Sequence, residues 1–274
     1  MPVHYELAPK RKSFIGSGLS LSNQLIIFNL IVYAVSLFLL GTLGEKFFVE
    51  NLALTPALIL QGKSLWTILT SMFMHGSIFH IFANMFSLFF VGNFLEKIIG
   101  KKRFFWLYLI SGILGSLAFV VASFFMGDIG IPAVGASGAI FGLLGMLAVL
   151  VPFAKIYLIA GPLILIVLEV VLGIFVPTKL MIGLSMIINL LILVQIFAML
   201  SFSPRLRKFA MPIELHMWLV PIIAIVPLAL IGLFVSLPIG NSAHFGGLVV
   251  GLIYGFYLRK KFPRKTAWLS KKFS

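Results

Sequence analysis

Ser137 and His244 are the two side chains of this 274-residue sequence whose types could carry out covalent chemistry together, although 107 positions separate them. A serine hydroxyl is a weak nucleophile until a neutral imidazole within hydrogen-bond reach takes its proton as it attacks. Each stands in a run of small residues: Gly135-Ala136-Ser137-Gly138-Ala139 in one case, and Ala243-His244-Phe245-Gly246-Gly247, continued by Gly251 and Gly255, in the other. Such runs allow two helix backbones to come nearly into contact. Taken singly, either run is equally an ordinary packing seam, and a lone serine in a helix commonly bonds its own backbone. A third group, His75, His80 and Asn84, adds polar side chains. His80 and Asn84 are four residues apart and share a helical face, with His75 about one turn away and rotated off it. They could donate to a developing oxyanion, where each good donor is worth about 3 kcal/mol, or equally serve as interhelical hydrogen bonds. No acidic residue is close in sequence to Ser137 or His244, so the arrangement would be a dyad. With no Cys, there is no thiolate nucleophile, disulfide framework or thiolate metal site.

Those residues must be positioned by helices in lipid. The sequence is 61% hydrophobic and only 10% charged, with a mean hydropathy of +1.16, far above the values of an ordinary soluble domain. A formal charge of +14 could suggest a nucleic-acid partner, but 28 Phe and repeated uncharged stretches fit a bilayer, so no nucleic acid is expected. Apolar runs near 24–44, 67–92, 104–126, 135–153, 155–176, 180–200, 213–236 and 242–258 are each long enough to cross a ~30 Å hydrocarbon core. Gly41, Gly44, Gly100, the 127–132 segment, Pro152, Pro177, Pro204 and the Pro238-Ile239-Gly240 turn separate them. The expectation is an all-α polytopic transmembrane bundle of about eight spans. Its parts are a cytoplasmic N-terminal segment, 1–23, a transmembrane domain, 24–258, and a basic cytoplasmic tail, 259–274. No small-residue cleavage site follows Lys10, Arg11 and Lys12, so no cleaved signal peptide is expected.

Charge sets the orientation. With the N-terminus inside, eighteen of the 21 Lys and Arg fall in cytoplasmic segments and only Lys46, Lys63 and Lys179 fall outside, as the positive-inside rule requires. Spans two, four and eight then run the same way, and the polar residues of each lie in its first half. All three clusters are expected at one depth in the outer part of the bilayer. Three intervening spans leave the Ser137 and His244 helices parallel and able to lie side by side. Burial in that apolar setting favours the neutral imidazole that a general base must be. Ser137 would also begin a helix, where unpaired backbone N–H groups and the positive dipole end point outward.

The segments His75-Gly-Ser-Ile-Phe-His80-Ile-Phe-Ala-Asn84, Gly135-Ala-Ser137-Gly138 and Ala243-His244-x-x-Gly247-x-x-x-Gly251, in this order, resemble the three signature segments of rhomboid proteases. The Gly92, Glu96, Gly100, Arg103, Phe104 pattern is similar to that family's cytoplasmic turn. The resemblance implies an intramembrane serine endopeptidase that needs no metal, ATP or other cofactor. Its partners would be transmembrane protein substrates and the lipid bilayer, with cleavage near the outer end of a substrate helix. It further implies Ser137 as nucleophile and His244 as general base, with His80, Asn84 and the Ser137 backbone N–H as the oxyanion hole. Gly135 and Gly138 flank the serine, Phe141 packs on the catalytic imidazole, and Gly247 allows the last helix to approach.

Two departures stand out. The common six-span core has a single helix between the serine and histidine helices, whereas this sequence has room for three, as an inserted hairpin that preserves parity. The loop 45–66 and its end lack the family's frequent Trp-Arg pair and show Leu65-Trp66-Thr67 instead. Glu169, in the fifth span, has no counterpart, and is either a functional carboxylate or a protonated group bonded between helices. The competing readings are a rhomboid-like binder of membrane helices that does not cut them, which loss of Ser or His would favour, and a transporter, which would not require the Ser–His alignment. Short loops point to a prokaryotic plasma membrane, and nothing in the sequence specifies an oligomeric state.

Overall fold

The first apolar run folds as helix α1 (Leu21–Asn51), started by Ser20, whose hydroxyl accepts the Asn23 N–H at 3.2 Å. This is a computed structural model describing residues 18–201, 203–209, 211–232 and 240–274. Lys10, Arg11 and Lys12, and the Pro238-Ile239 part of the last expected turn, lie outside those residues. Helix α1 is polar inward and apolar outward: Ser22, Asn29 and Ser36 are buried while Ile31 and Phe38 are exposed. That inversion is stable only where the surroundings are as apolar as the side chains, which is the situation in lipid.

The chain contributes to two compact units: residues up to Met146 together with Ile225–Gly255, and Leu147–Ala224 together with Phe256–Ser274. In the first, α1 leads through α2 (Pro56–Leu60) to a segment that the sequence predicts as one helix over 67–92. The structure instead has α3 (Thr67–Thr70), a 3₁₀ turn at Ser71–Phe73, a non-helical link at 74–77, and only then α4 (Ile78–Ser87). Ser77 makes the break. Its backbone is extended, at φ −159° and ψ 164°, and its hydroxyl accepts the His80 N–H at 3.1 Å, capping α4. A π turn at Leu88–Gly92 carries the helix on into α5 (Asn93–Ile99), past its expected end, until Gly100 stops it at φ 82°.

Helix α6 (Lys101–Met126) follows. The chain then returns in extended form, with Leu54 and Ala133 exchanging two backbone hydrogen bonds of 2.9 Å, and enters α7 (Ser137–Leu150). Fourteen residues rise about 21 Å, less than a ~30 Å hydrocarbon core, so one end of α7 must lie within the depth of the bilayer. Ala139, Leu143 and Met146 on it are fully buried.

In the second unit, the sequence predicts helix from 155 and from 213. The structure forms strands there: β1 (Lys155–Ile159) pairs antiparallel with β2 (Pro212–His216), Tyr157 opposite Glu214. Lys-Ile-Tyr-Leu-Ile is as good a strand as a helix start, and five apolar-rich residues cannot be assigned by periodicity alone. Between the strands run α8 (Ala160–Phe175), α9 (Thr178–Leu200) and α10 (Pro204–Phe209). Helix α11 (Val220–Gly232) then leads back towards the first unit. Helix α12 (Asn241–Lys261) starts in the first unit and ends in the second, where Pro263 opens a last helix, α13 (Pro263–Phe273).

The protein is a helical bundle of membrane-spanning type. Among the described residues, Leu21–Asn51, Ile78–Ile99, Lys101–Met126 and Thr178–Met199 are long and apolar enough to cross a membrane. Ser137–Leu150 and Met217–Pro227 are shorter apolar helices.

Candidate active site

The site is built where α7 begins. Residues 134–135 carry no regular secondary structure, and Gly135 donates its N–H to the Ser71 carbonyl at 2.9 Å. Gly135 has φ 127°, a conformation that favours glycine, and a Cβ there would come within 2.8 Å of the His80 ring and 3.6 Å of Asn84 Nδ2. The backbone thus passes directly beneath His80 and Asn84, two residues before the first helical residue, Ser137. Being first on α7, Ser137 has its own N–H among those without an intrahelical partner, at the positive end of the helix dipole. Its side chain is half-buried, while most of the helix behind it is fully enclosed.

His244, buried in the first turn of α12, reaches Ser137 directly: Nε2 and Oγ are 2.8 Å apart. Backbone contact makes this possible. A Cβ on Gly247 would run into the Gly138 carbonyl, one on Gly251 into the Gly142 carbonyl, and one on Gly138 would meet the Ala243 carbonyl at 3.4 Å. The two small-residue runs found in the sequence therefore form one seam, as close packing of helices in lipid requires. Phe141, one turn below Ser137, stacks on the His244 ring with centroids 4.5 Å apart and planes 20° from parallel.

The expected residues Ser137, His244, His80, Asn84, Gly135, Gly138, Phe141 and Gly247 all belong to the first unit and meet here. His75 differs from expectation. It lies in the non-helical link ahead of α4 rather than on the helix, so it is not rotated away: its ring packs edge-on against His80, centroids 5.1 Å apart, and is buried. The cause is the Ser77 cap, which the sequence contained but a continuous apolar run concealed. Glu169 is half-buried on α8 in the second unit and takes no part in these contacts.

The polar groups of the site keep unused capacity. Asn84 Nδ2 and His244 Nδ1 are buried without a hydrogen-bond partner among the described residues. His244 Nδ1 belongs to the ring that meets Ser137, and Asn84 Nδ2 lies by Gly135, two residues before that serine. The geometry provides a hydroxyl with an imidazole nitrogen at hydrogen-bond distance, and sets the His80 ring and Asn84 Nδ2 beside Gly135, two residues before that hydroxyl. That is the equipment for acyl transfer.

Comparison with known proteins bears on the same residues. The Rhomboid domain family model matches residues 62–180 and 156–261. Among curated proteins, RHOMBOID-like protein 5 of Arabidopsis thaliana is 32% identical over 207 residues, 75% of this chain and 48% of that protein. Rhomboid protease GluP of Bacillus subtilis (strain 168) is 43% identical over 91 residues, 33% of this chain and 17% of that protein. Inactive RHOMBOID-like protein 8 of Arabidopsis thaliana is 40% identical over 85 residues, 31% of this chain and 23% of that protein. In each case the match covers less than half of the relative's own length.

Proposed function

The chain belongs to the rhomboid family, and on that premise we propose that it is an intramembrane serine endopeptidase cutting transmembrane segments of membrane-protein substrates. Family membership does not decide activity, since one relative is named inactive. The observation that carries the reading is the 2.8 Å contact between Ser137 Oγ and His244 Nε2 at the mouth of an otherwise enclosed helix.

For Nε2 to accept the serine proton, the neutral imidazole must carry its hydrogen on Nδ1. Oγ then attacks the scissile carbonyl carbon, its proton passes to Nε2, and the carbonyl oxygen becomes an oxyanion. Asn84 Nδ2, the His80 ring and the Ser137 backbone N–H supply the donors, each worth about 3 kcal/mol if it strengthens in the transition state. Among the described residues, no carboxylate bonds the His244 ring to support the imidazolium formed in this step. The stacked face of Phe141 takes that part, a cation–π contact of about 1–2 kcal/mol in a desolvated site. Collapse of the intermediate breaks the C–N bond as Nε2 returns the proton to the leaving amine. Water, deprotonated by the same nitrogen, hydrolyses the acyl-enzyme and restores Ser137.

In this reading residues 24–258 form the protease domain, and both termini lie on the cytoplasmic side, where eighteen Lys and Arg gather. The test is cleavage of a model single-span substrate by purified protein in a bilayer. Wild type cuts and Ser137→Ala does not, while both bind. Binding without cutting by wild type would favour the alternative of a non-catalytic membrane-helix binder.

A further inference from the structure

The chain's last segment has a cavity that the protease reading does not use. After α12 ends in Arg259-Lys260-Lys261, Pro263 turns the chain into α13, whose Thr266 and Leu269 are buried and whose Trp268 is exposed. Lys272 Nζ lies 4.8 Å above the Trp268 ring. Between α13 and the end of α7 is a cavity of about 560 Å³ within the second unit. It is lined by Arg259, Lys271 and Ser270 together with the apolar Val149, Leu150 and Phe153. Residues 256–274 hold seven Lys and Arg and no Asp or Glu, so nothing acidic in this segment competes for those cations.

We propose that this cavity seats the headgroup of one anionic phospholipid. Its phosphodiester oxygens accept from the Arg259 guanidinium, the Lys271 ammonium and the Ser270 hydroxyl, the charge-assisted bonds for which arginine and lysine are suited. The glycerol and the first acyl carbons lie on Phe153, the exposed member of that apolar wall, with Val149 and Leu150 buried behind it. A soluble anion would use only the cations. The apolar wall beside them, and an exposed Trp beside Lys on an amphipathic helix, are what an occupant half in hydrocarbon uses. The site is independent of the Ser137 chemistry.

The experiment is native mass spectrometry of the full chain in mild detergent with added dioleoyl-phosphatidylglycerol or dioleoyl-phosphatidylcholine. Wild type retains one phosphatidylglycerol in preference to phosphatidylcholine, and millimolar inorganic phosphate does not displace it. Arg259→Gln with Lys271→Gln lowers retention about tenfold, the loss expected when two charge-assisted contacts go. Lys260→Gln with Lys265→Gln removes the same charge away from the cavity and leaves retention close to wild type. All variants touch exposed side chains, and a single monodisperse gel-filtration peak shows that they fold. Equal loss in both double variants would overturn the site in favour of diffuse attraction to the basic segment. Equal retention of phosphatidylcholine, displacement by inorganic phosphate, or no retained lipid would each overturn it as well.

Discussion

Two polar clusters in the first unit sit on helices α4 and α5 and their neighbours, and they are finished differently. At the foot of α1, donors and acceptors are matched. The Glu96 carboxylate accepts the N–H groups of Leu21 at 3.0 Å and Ser22 at 2.8 Å. Ser20 donates to Asn93 Oδ1 at 2.6 Å, Asn93 donates to Asn23 Oδ1 at 2.8 Å, and Ser22 donates to the Leu88 carbonyl at 2.8 Å. Gly92 has no side chain because a Cβ there would run into Ser22 Oγ. Around Ser137, by contrast, Asn84 Nδ2 and His244 Nδ1 have no partner among the described residues. A matched cluster lowers the energy of the folded state, whereas in the proposed mechanism the unmatched donors gain a partner only as the oxyanion forms. Glu96 is the more conspicuous residue for a reader of sequences, being charged, yet its carboxylate is fully engaged in holding the start of α1.

That contrast can be broken by substitution. Ser137→Ala or His244→Ala lowers substrate cleavage by roughly 10⁴-fold or more, since members of such a unit fail together. The thermal midpoint in detergent barely moves. Asn84→Ala lowers kcat by about 10²–10³-fold with KM nearly unchanged, the signature of a bond made only in the transition state. Its stability is unchanged or slightly raised, because a buried unpaired donor has been removed. Gly247→Ala pushes a methyl group against the Gly138 carbonyl and separates α12 from α7. Steady-state cleavage then falls about 100-fold, and the thermal midpoint falls with it, because this glycine serves the seam and the site together. Glu96→Ala gives the opposite profile: stability drops by roughly 2 kcal/mol as two helix N–H groups lose their acceptor, while kcat of the folded fraction changes only a few-fold. A loss of activity in Glu96→Ala as deep as that in Asn84→Ala, at equal folded fraction, would erase the distinction.

How far the sequence carried these conclusions depends on the range of each interaction. The Ser137–His244 contact was legible across 107 positions because the glycines on each helix advertise the backbone contact that permits it. Phe141, one turn from the serine, was legible only through the family resemblance, since nothing else distinguishes it among 28 Phe. The His75 link was not, because Met74-His75-Gly76-Ser77 interrupts an apolar run without a proline, and only the Ser77 cap marks the break. Strands β1 and β2 escaped because short apolar runs read alike as helix or strand, and their pairing partner is more than 50 residues away. The job of Glu96 was hidden because its partners, Leu21 and Ser22, are backbone groups, which any residue types could provide. Helix α13 was read as a charged tail because its few apolar residues are diluted by lysines.

The central claim is that Ser137 is a nucleophile activated by His244, and the most direct test of it is site-resolved labelling. The purified protein in lipid bilayers is treated with a fluorophosphonate, digested, and its adducts are located by peptide mass spectrometry. The account predicts displacement of fluoride by Ser137 Oγ, one adduct on Ser137, and its disappearance in His244→Ala. Labelling that spares Ser137, or that proceeds equally well without His244, would contradict it.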